Sequence, residues 1–295
     1  MFRKALTIAQ QYSRGRNAFR IAARTGMPGA EFYHFGRRIG WRLLANGWRG
    51  GVDYFLAPVS SFRYFEFPFA LSCLLEEPGR CLDVGSPRLF SFYFAAKVPA
   101  SSTLMLNPDV NDISETAKVI STLKMSNVHT QHGGVDVLVR QHEKYNCIWS
   151  ISVIEHIHGE HSDVDAVRLM YESLREGGRL ILTVPVGREF RVEYRDTDYY
   201  GTQVDRGDGK YFFQYVYDKH SLWERLIKPL GRDPTVVRWF GERERGRYRE
   251  YERRWIEQGR DCTVEDPREM AEHYREFATW EEMPGMGVCG IMVER

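Results

Sequence analysis

The chain has 295 residues, 43% hydrophobic and 27% charged, with a formal net charge of +1. That length buries a sizeable core, and the near balance of charge excludes a molecule built throughout as a polyanion binder. Its five cysteines form no CxxC pair and are odd in number, which argues against a disulfide framework and for a reducing compartment. No apolar run approaches the roughly 20 residues that cross a bilayer, and the N-terminus lacks the apolar segment of a secretion signal. A cytoplasmic location is expected.

Charge is unevenly spread. Residues 1–50 carry ten Lys/Arg against the single acid Glu31, whereas the rest holds 31 Lys/Arg against 39 Asp/Glu. Helical pieces are expected around Ala5–Gln11, Ala18–Ala23 and Phe35–Leu44. Residues 1–70 form a basic, aromatic arm with three open readings: a lid over a substrate site, a contact with an anionic surface, or a packing arm. An aromatic stretch from Tyr54 to Phe69 leads into a helix that includes Leu71, Leu74 and Leu75 and is closed by Pro78-Gly79.

From Arg80 the pattern alternates. Apolar runs predict strands at Arg80–Val84, Thr103–Leu106, Asn127–Thr130, Tyr145–Val153 and Arg179–Val184. Between them, helices are expected over Arg88–Lys97, Asp112–Met125 (Asp112 and Glu115 as a capping box) and Asp163–Arg175 (Ser162 as N-cap, Gly177-Gly178 as stop). This alternation means a doubly wound, mostly parallel sheet. Residues 186–216 have no clear period. A helix is expected over Asp218–Ile227 and a strand over Thr235–Phe240. Residues 241–260 hold seven Arg and five Glu with Tyr248, Tyr251 and Trp255 at helical spacing, which reads as a charged helix packed by an aromatic stripe. A second helix starting at Asp266-Pro267 would turn Met270, Tyr274 and Phe277 inward, and Val288–Val293 closes the chain as a strand.

Four segments resemble the class I S-adenosylmethionine-dependent methyltransferases, in the broad group called methyltransferase domain type 11. They are Leu82-Asp83-Val84-Gly85-Ser86, the strand ending at Asn107, Tyr145–Ile157 with its Glu155-His156 pair, and Ser173–Pro185. The resemblance covers about 80–240 and 287–295. It implies an α/β fold with a doubly wound, mostly parallel seven-stranded sheet, Rossmann-like, in a domain spanning 71–295. Residues 186–216 would be its substrate loop and 241–282 a helical insertion before the last strand. It implies S-adenosylmethionine as cofactor, held by Asp83, Gly85, Ser86, Asn107, Asp109, Asp136, Ser152 and Val153, with His156 and Glu155 as catalytic candidates and no metal. Two positions depart from the pattern. Pro87 replaces a second glycine and removes a donor, and Asn107 replaces the ribose-binding acid, so it accepts without charge assistance. Asp109 is the alternative ribose acceptor.

The expected activity is methyl transfer, at oxygen, to a small molecule or a glycan or lipid-linked precursor. His156, His158 and His161 follow the fourth strand; His156 reads either as a base or as part of a structural loop. Arg188, Arg191 and Arg195 suit an anionic acceptor or a solvated loop. No nucleic-acid motif is present. Two rival readings remain: a catalytically silent methyltransferase-like partner protein, and an NAD-binding oxidoreductase or epimerase, which Gly85-Ser86-Pro87 disfavours because it lacks the three-glycine turn.

Overall fold

The computed structural model describes residues 28–295 with Arg20 and Arg24, except residues 141–142, 200, 202–204 and 259–266. Ala5–Gln11 therefore lies outside the described residues, as does Ala18–Ala23 apart from Arg20. Three helices precede the sheet: α1 (Ala30–Ala45), α2 (Gly51–Leu56) and α3 (Arg63–Cys73). Phe32, Tyr33, Phe35, Ile39 and Leu43 of α1 are buried, at the i, i+3, i+4 spacing of a core-facing stripe. Phe32 packs on Phe67, Phe90 and Tyr93, so this face continues the aromatic core of the domain.

The strands are β1 (Arg80–Val84), β2 (Ser102–Asn107), β3 (Val128–His132), β4 (Tyr145–Ile151), β5 (Leu174–Val186), β6 (Arg191–Arg195), β7 (Tyr211–Val216), β8 (Val236–Glu242), β9 (Tyr274–Phe277) and β10 (Gly287–Glu294). The helices between them are α4 (Arg88–Lys97), α5 (Val110–Leu123), α6 (Asp136–Arg140), α7 (Asp163–Glu172), α8 (Lys219–Leu222), α9 (Arg247–Gln258) and α10 (Pro267–His273). The main sheet runs β3-β2-β1-β4-β5-β10-β8-β9, and β6 and β7 form a separate hairpin. Strands β1 to β5 are parallel neighbours, and β10 is antiparallel to both β5 and β8. The expected doubly wound sheet is present with eight strands rather than seven.

The additional strand is β9. Tyr274 and Phe277 were expected on a helix, but their segment pairs with Glu242–Trp239 of β8. Backbone pairing with a sheet edge has overridden a short helical pattern. Residues 186–216, without a period in the sequence, carry the β6–β7 hairpin. The α5 helix starts two residues earlier than its expected cap: Asp109, not Asp112, accepts the backbone N–H groups of Asn111 and Asp112. Ser162 caps α7 as expected, with Asp165 completing the box. That helix ends at Glu172, and Gly177-Gly178 lie inside β5, tied to the chain end by Gly177 N–H to Arg295 O (2.8 Å) and Arg295 N–H to Gly178 O (2.9 Å).

Packing fixes α3 over the sheet. The Phe69 ring lies against Gly290 of β10, where an added Cβ would sit 2.6 Å from the ring carbons. Behind β1 and β4, Phe90 and Phe94 meet the Trp149 ring edge-on, and its indole N–H reaches Ser91 Oγ. Those rings fill one face of the sheet, and Met170 of α7 and Leu222 of α8 pack with Leu82, Ile148 and Leu182 on the other, which leaves its carboxyl edge as the place for a site. Among the described residues no helix is long and apolar enough to cross a membrane.

Candidate functional site

The chain winds from β1 through β2 to β3 on one side, then returns to β4 and β5 on the other. A crevice therefore opens at the carboxyl ends of β1 and β4, the switch point where open α/β sheets take ligands.

At the end of β1, Gly85 has φ +67°, and an added Cβ would lie 3.0 Å from Val153 Cγ1. Both the left-handed backbone and the close approach require glycine. Asp83 shapes this turn from beneath: it accepts from Ser86 N–H (2.9 Å) and from the Ser91 hydroxyl. Burial raises the pKa of Asp83, and the bonds from Ser91 and Ser86 oppose that rise. Ser86 in turn accepts from Ile151 N–H at 3.0 Å, tying the turn to β4. Asp83 and Ser86 are thus buried supports of the turn, 1% and 5% exposed. Pro87 caps α4, and Arg88 stands at the first position of that helix.

At the end of β2, the amide of Asn107 is engaged at both atoms. Its Oδ1 accepts from Asp109 N–H (2.9 Å), and its NH2 donates to Asp112 Oδ2 (2.9 Å). Asp112 also takes the Arg88 guanidinium at 2.7 Å. Asp109 lies at the same edge but serves as the α5 cap. The side chain of Asp136, the first residue of α6, makes no hydrogen bond among the described residues. Its loop is held to β2 by Gly133 N–H to Asn107 O (3.0 Å).

S-adenosylmethionine would fit this set unevenly. The glycine turn and the start of α4, with its unpaired N–H groups, suit the amino-acid end. Asp136 is an available acceptor for an adenine amino group. The ribose end differs from expectation, because the Asn107 amide is committed to Asp109 and Asp112.

The end of β4 is the most highly organised part. Ser152 has φ +48°, unusual for a residue with a side chain. Its hydroxyl donates to Glu66 Oε1 (2.5 Å) and accepts from Arg63 (2.8 Å). Thr183 Oγ1 of β5 also donates to Glu66 Oε1 at 2.7 Å, and Arg63 pairs with Glu66 Oε2. Glu66 is completely buried. Helix α3 thereby delivers an ion pair onto the strand ends. Sequence reasoning passed over Arg63 and Glu66; the signal was a lone acid inside the aromatic run Phe62–Phe69, a residue type that is buried only when paired.

Glu155 and His156 follow in a short 3-10 turn, Ile154–His156. Burial pushes the Glu155 carboxyl up to about 8, aided by the nearby Glu66 charge and opposed by Arg63. Its Oε2 is buried with no hydrogen-bond partner among the described residues. Burial pulls the His156 imidazole down to about 4, with Arg63 acting the same way. His156 Nδ1 lies 2.6 Å from the Phe213 carbonyl; a carbonyl only accepts, so Nδ1 carries the proton and Nε2 is the basic nitrogen. His158 turns elsewhere, stacking on Phe212 with Nδ1 2.5 Å from the Tyr215 hydroxyl. Among the described residues no three His, Cys, Asp or Glu side chains gather as a metal site.

These groups line a chamber of about 240 Å³, shared by Arg63, Ser152, Glu155, His156, Phe213 and Tyr251 with Arg195, Tyr248 and Glu252 behind them. Arg195 pairs with Glu252 and with Glu193. The structure therefore brings Ser152, Glu155 and His156 together with α3 and α9, neither of which was assigned a site residue from sequence. Asp136 and Asn107 stand apart from them, at the other end of the crevice.

Seven strands in the order β3-β2-β1-β4-β5-β10-β8, with β10 alone reversed among them, make the sheet of the class I methyltransferases. The chain has that fold. No protein-family model matches the sequence, and no curated protein does. Among solved structures, it is similar to geranyl diphosphate methyltransferase in complex with SAM (12% identity, 78% of this chain and 84% of that one, TM-score 0.49). It is also similar to the [4+2]-cyclase SpnF (14% identity, 84% and 82%, TM-score 0.48). A shorter match, to PKMT2 from Rickettsia typhi in complex with AdoHcy, has 20% identity and a TM-score of 0.37; it covers 41% of this chain and spans a quarter of that protein's length.

Proposed function

We propose that the chain is an S-adenosylmethionine-dependent methyltransferase acting at oxygen on a small molecule or on a glycan or lipid-linked precursor. The observation that carries this reading is the chamber built on Ser152, Glu155 and His156 beside the Gly85–Val153 contact at the switch point. When bound, the cofactor would supply an electrophilic methyl group on a good leaving group. The protein's task is then mainly to position the acceptor and receive its proton.

Gly85 and the start of α4 would hold the amino-acid end, Asp136 the adenine, and Ser152 and Val153 the floor beneath the sulfonium. His156 is uncharged at neutral pH, with its ring fixed by the Phe213 carbonyl, and its Nε2 can accept a hydroxyl proton. Glu155 holds a proton at neutral pH and offers it as a donor to the acceptor; above about pH 8 it becomes a second base. Because Glu155 titrates nearer neutrality, it governs the pH response of the site.

A second reading, a silent methyltransferase-like partner, is favoured by Pro87 and by the engaged amide of Asn107. Calorimetry with S-adenosylmethionine, S-adenosylhomocysteine and NAD separates the readings. The methyltransferase reading expects both sulfur compounds to bind and NAD not to. Binding of NAD alone would overturn it, and binding of neither sulfur compound would favour the silent partner.

A further inference from the structure

Beside the chamber lies a second cavity, of about 260 Å³, into which four arginines converge: Arg188, Arg191, Arg245 and Arg249. The cavity follows the same three elements as the chamber. Strand β6 gives Arg191 to the cavity and Arg195 to the chamber, α9 gives Arg249 and Tyr251, and the entry to β10 gives Met286 and Gly287.

Two of the cations are held in place. Arg188 lies 4.8 Å from the centre of the Trp280 ring and donates to the carbonyls of Glu281 (2.9 Å) and Met283. Arg191 donates to Glu193 Oε1 at 2.8 Å and reaches Met286 Sδ at 3.2 Å. Arg245 and Arg249 have no acidic partner among the described residues.

The acids nearby offset the four positive charges only in part: Glu193 pairs with Arg191, and Glu189 and Glu242 add two carboxylates to the lining. Glu242 is 1% exposed, and its oxygens are taken by backbone N–H groups: Gly246 (3.0 Å) and Met286 (2.9 Å) on Oε1, Tyr248 (2.8 Å) on Oε2. Gly285 makes room for this, since a Cβ there would stand 1.8 Å from Glu242 Oε1. Glu189 remains as the one exposed acid on the lining. Beyond residue 50 acids outnumber bases 39 to 31, so four converging guanidiniums are not a sample of a generally basic surface.

Guanidinium forks match the oxygens of phosphoryl groups in pairs, and a carboxylate would satisfy only one or two of the four. From this geometry we infer that the cavity binds a phosphate or diphosphate group carried by the acceptor, whose methyl-accepting end reaches the adjoining chamber. The acceptor half of this inference rests on the methyltransferase reading; the anion site does not.

The test uses the full chain. Calorimetry with inorganic pyrophosphate at low salt is expected to give saturable one-site binding that weakens as salt is raised. The double variant Arg245→Gln, Arg249→Gln is expected to lose at least tenfold in that affinity. Arg238→Gln, which lines a separate cavity with Phe65 and Phe69, should match the wild type. S-adenosylmethionine binding should be unchanged in both variants, so failure of the anion site and failure of the cofactor site read out separately. To establish the source of the anion, methyl transfer from labelled S-adenosylmethionine is measured on a metabolite extract with and without prior phosphatase treatment. Loss of incorporation after phosphatase, with competition by pyrophosphate, supports an acceptor-borne group. Absence of saturable pyrophosphate binding, or equal binding by the double variant, overturns the site. Incorporation that survives phosphatase and is indifferent to pyrophosphate overturns the acceptor assignment and leaves free phosphate as the occupant.

Discussion

Replacing Glu155 by Gln removes one titration while keeping shape, and its effect on stability can be worked out in sign and size. Buried beside Glu66, the carboxyl of Glu155 is raised from 4.5 to about 8. Between those values the folded chain keeps a proton that the unfolded chain has released, so stability falls as pH rises through the window. His156 works oppositely. Its value is lowered from 6.5 to about 4, so its contribution is lost as pH falls from 6.5 through 4, and above 6.5 it adds no slope. The range from pH 6.5 to 8.5 therefore isolates Glu155. About 1.5 pH units of mismatch at ~1.36 kcal/mol each give a loss of about 2 kcal/mol across that range. Urea denaturation of wild type and Glu155→Gln at both pH values measures it. The wild type should lose about 2 kcal/mol more than the variant on going to pH 8.5, or several degrees in Tm. Equal losses in the two proteins would mean that Glu155 is not held protonated, and the account of a desolvated carboxyl over the chamber would fall.

Other outcomes follow from the same contacts. Gly85→Ala should cost about 1–2 kcal/mol, from the left-handed backbone and the approach of Val153, and should weaken S-adenosylmethionine binding; an unchanged Tm would contradict the turn geometry. Asp109→Ala removes the α5 cap, with an expected loss of ~1 kcal/mol in chemical denaturation. Asn107→Asp restores the acid usual at that position, yet it faces Asp109 and Asp112. It is expected to lower stability by roughly 1 kcal/mol without tightening cofactor binding, and tighter binding in calorimetry would show that the amide was the defect. Glu66→Gln leaves Arg63 without its counter-charge and should destabilise by about 3 kcal/mol, read as a lower urea midpoint.

The sheet was legible because its central strands are nearly continuous apolar runs, as in Tyr145–Ile151, and because Gly85 marks a turn with a left-handed backbone that favours glycine. Legibility declined where tertiary pairing decides. Gly177-Gly178 carry the usual signal of a helix stop, but the helix had already ended and the C-terminal Arg295 pairs with both glycines, drawing them into β5. Tyr274 and Phe277 fit an inward helix face equally well as the two buried ends of a four-residue edge strand. Such alternatives are equal in local pattern and differ only in what lies beside them.

The same distinction separates the two ends of the crevice. Asp83, Ser86 and Asn107 were recognisable by position, yet their side chains face the protein. Asp83 and Asn107 bond polar groups close in the chain, and Ser86 accepts from Ile151 N–H 65 residues on, demands that spacing does not reveal. Glu66, 117 residues from Thr183 and 86 from Ser152, could not be linked to them by any motif. A buried glutamate must nonetheless be matched by donors, and Arg63, three residues earlier on the same helix face, was a visible candidate. The remaining donors had to come from a strand end, since interior strand positions of a doubly wound sheet are apolar. An isolated acid–base pair in an aromatic helix beside such a sheet is therefore a pointer to the carboxyl edge. Here it makes α3 part of the site: Ser152, in its left-handed conformation, is held by Arg63 and Glu66, and the chamber exists in this form only while that helix is docked.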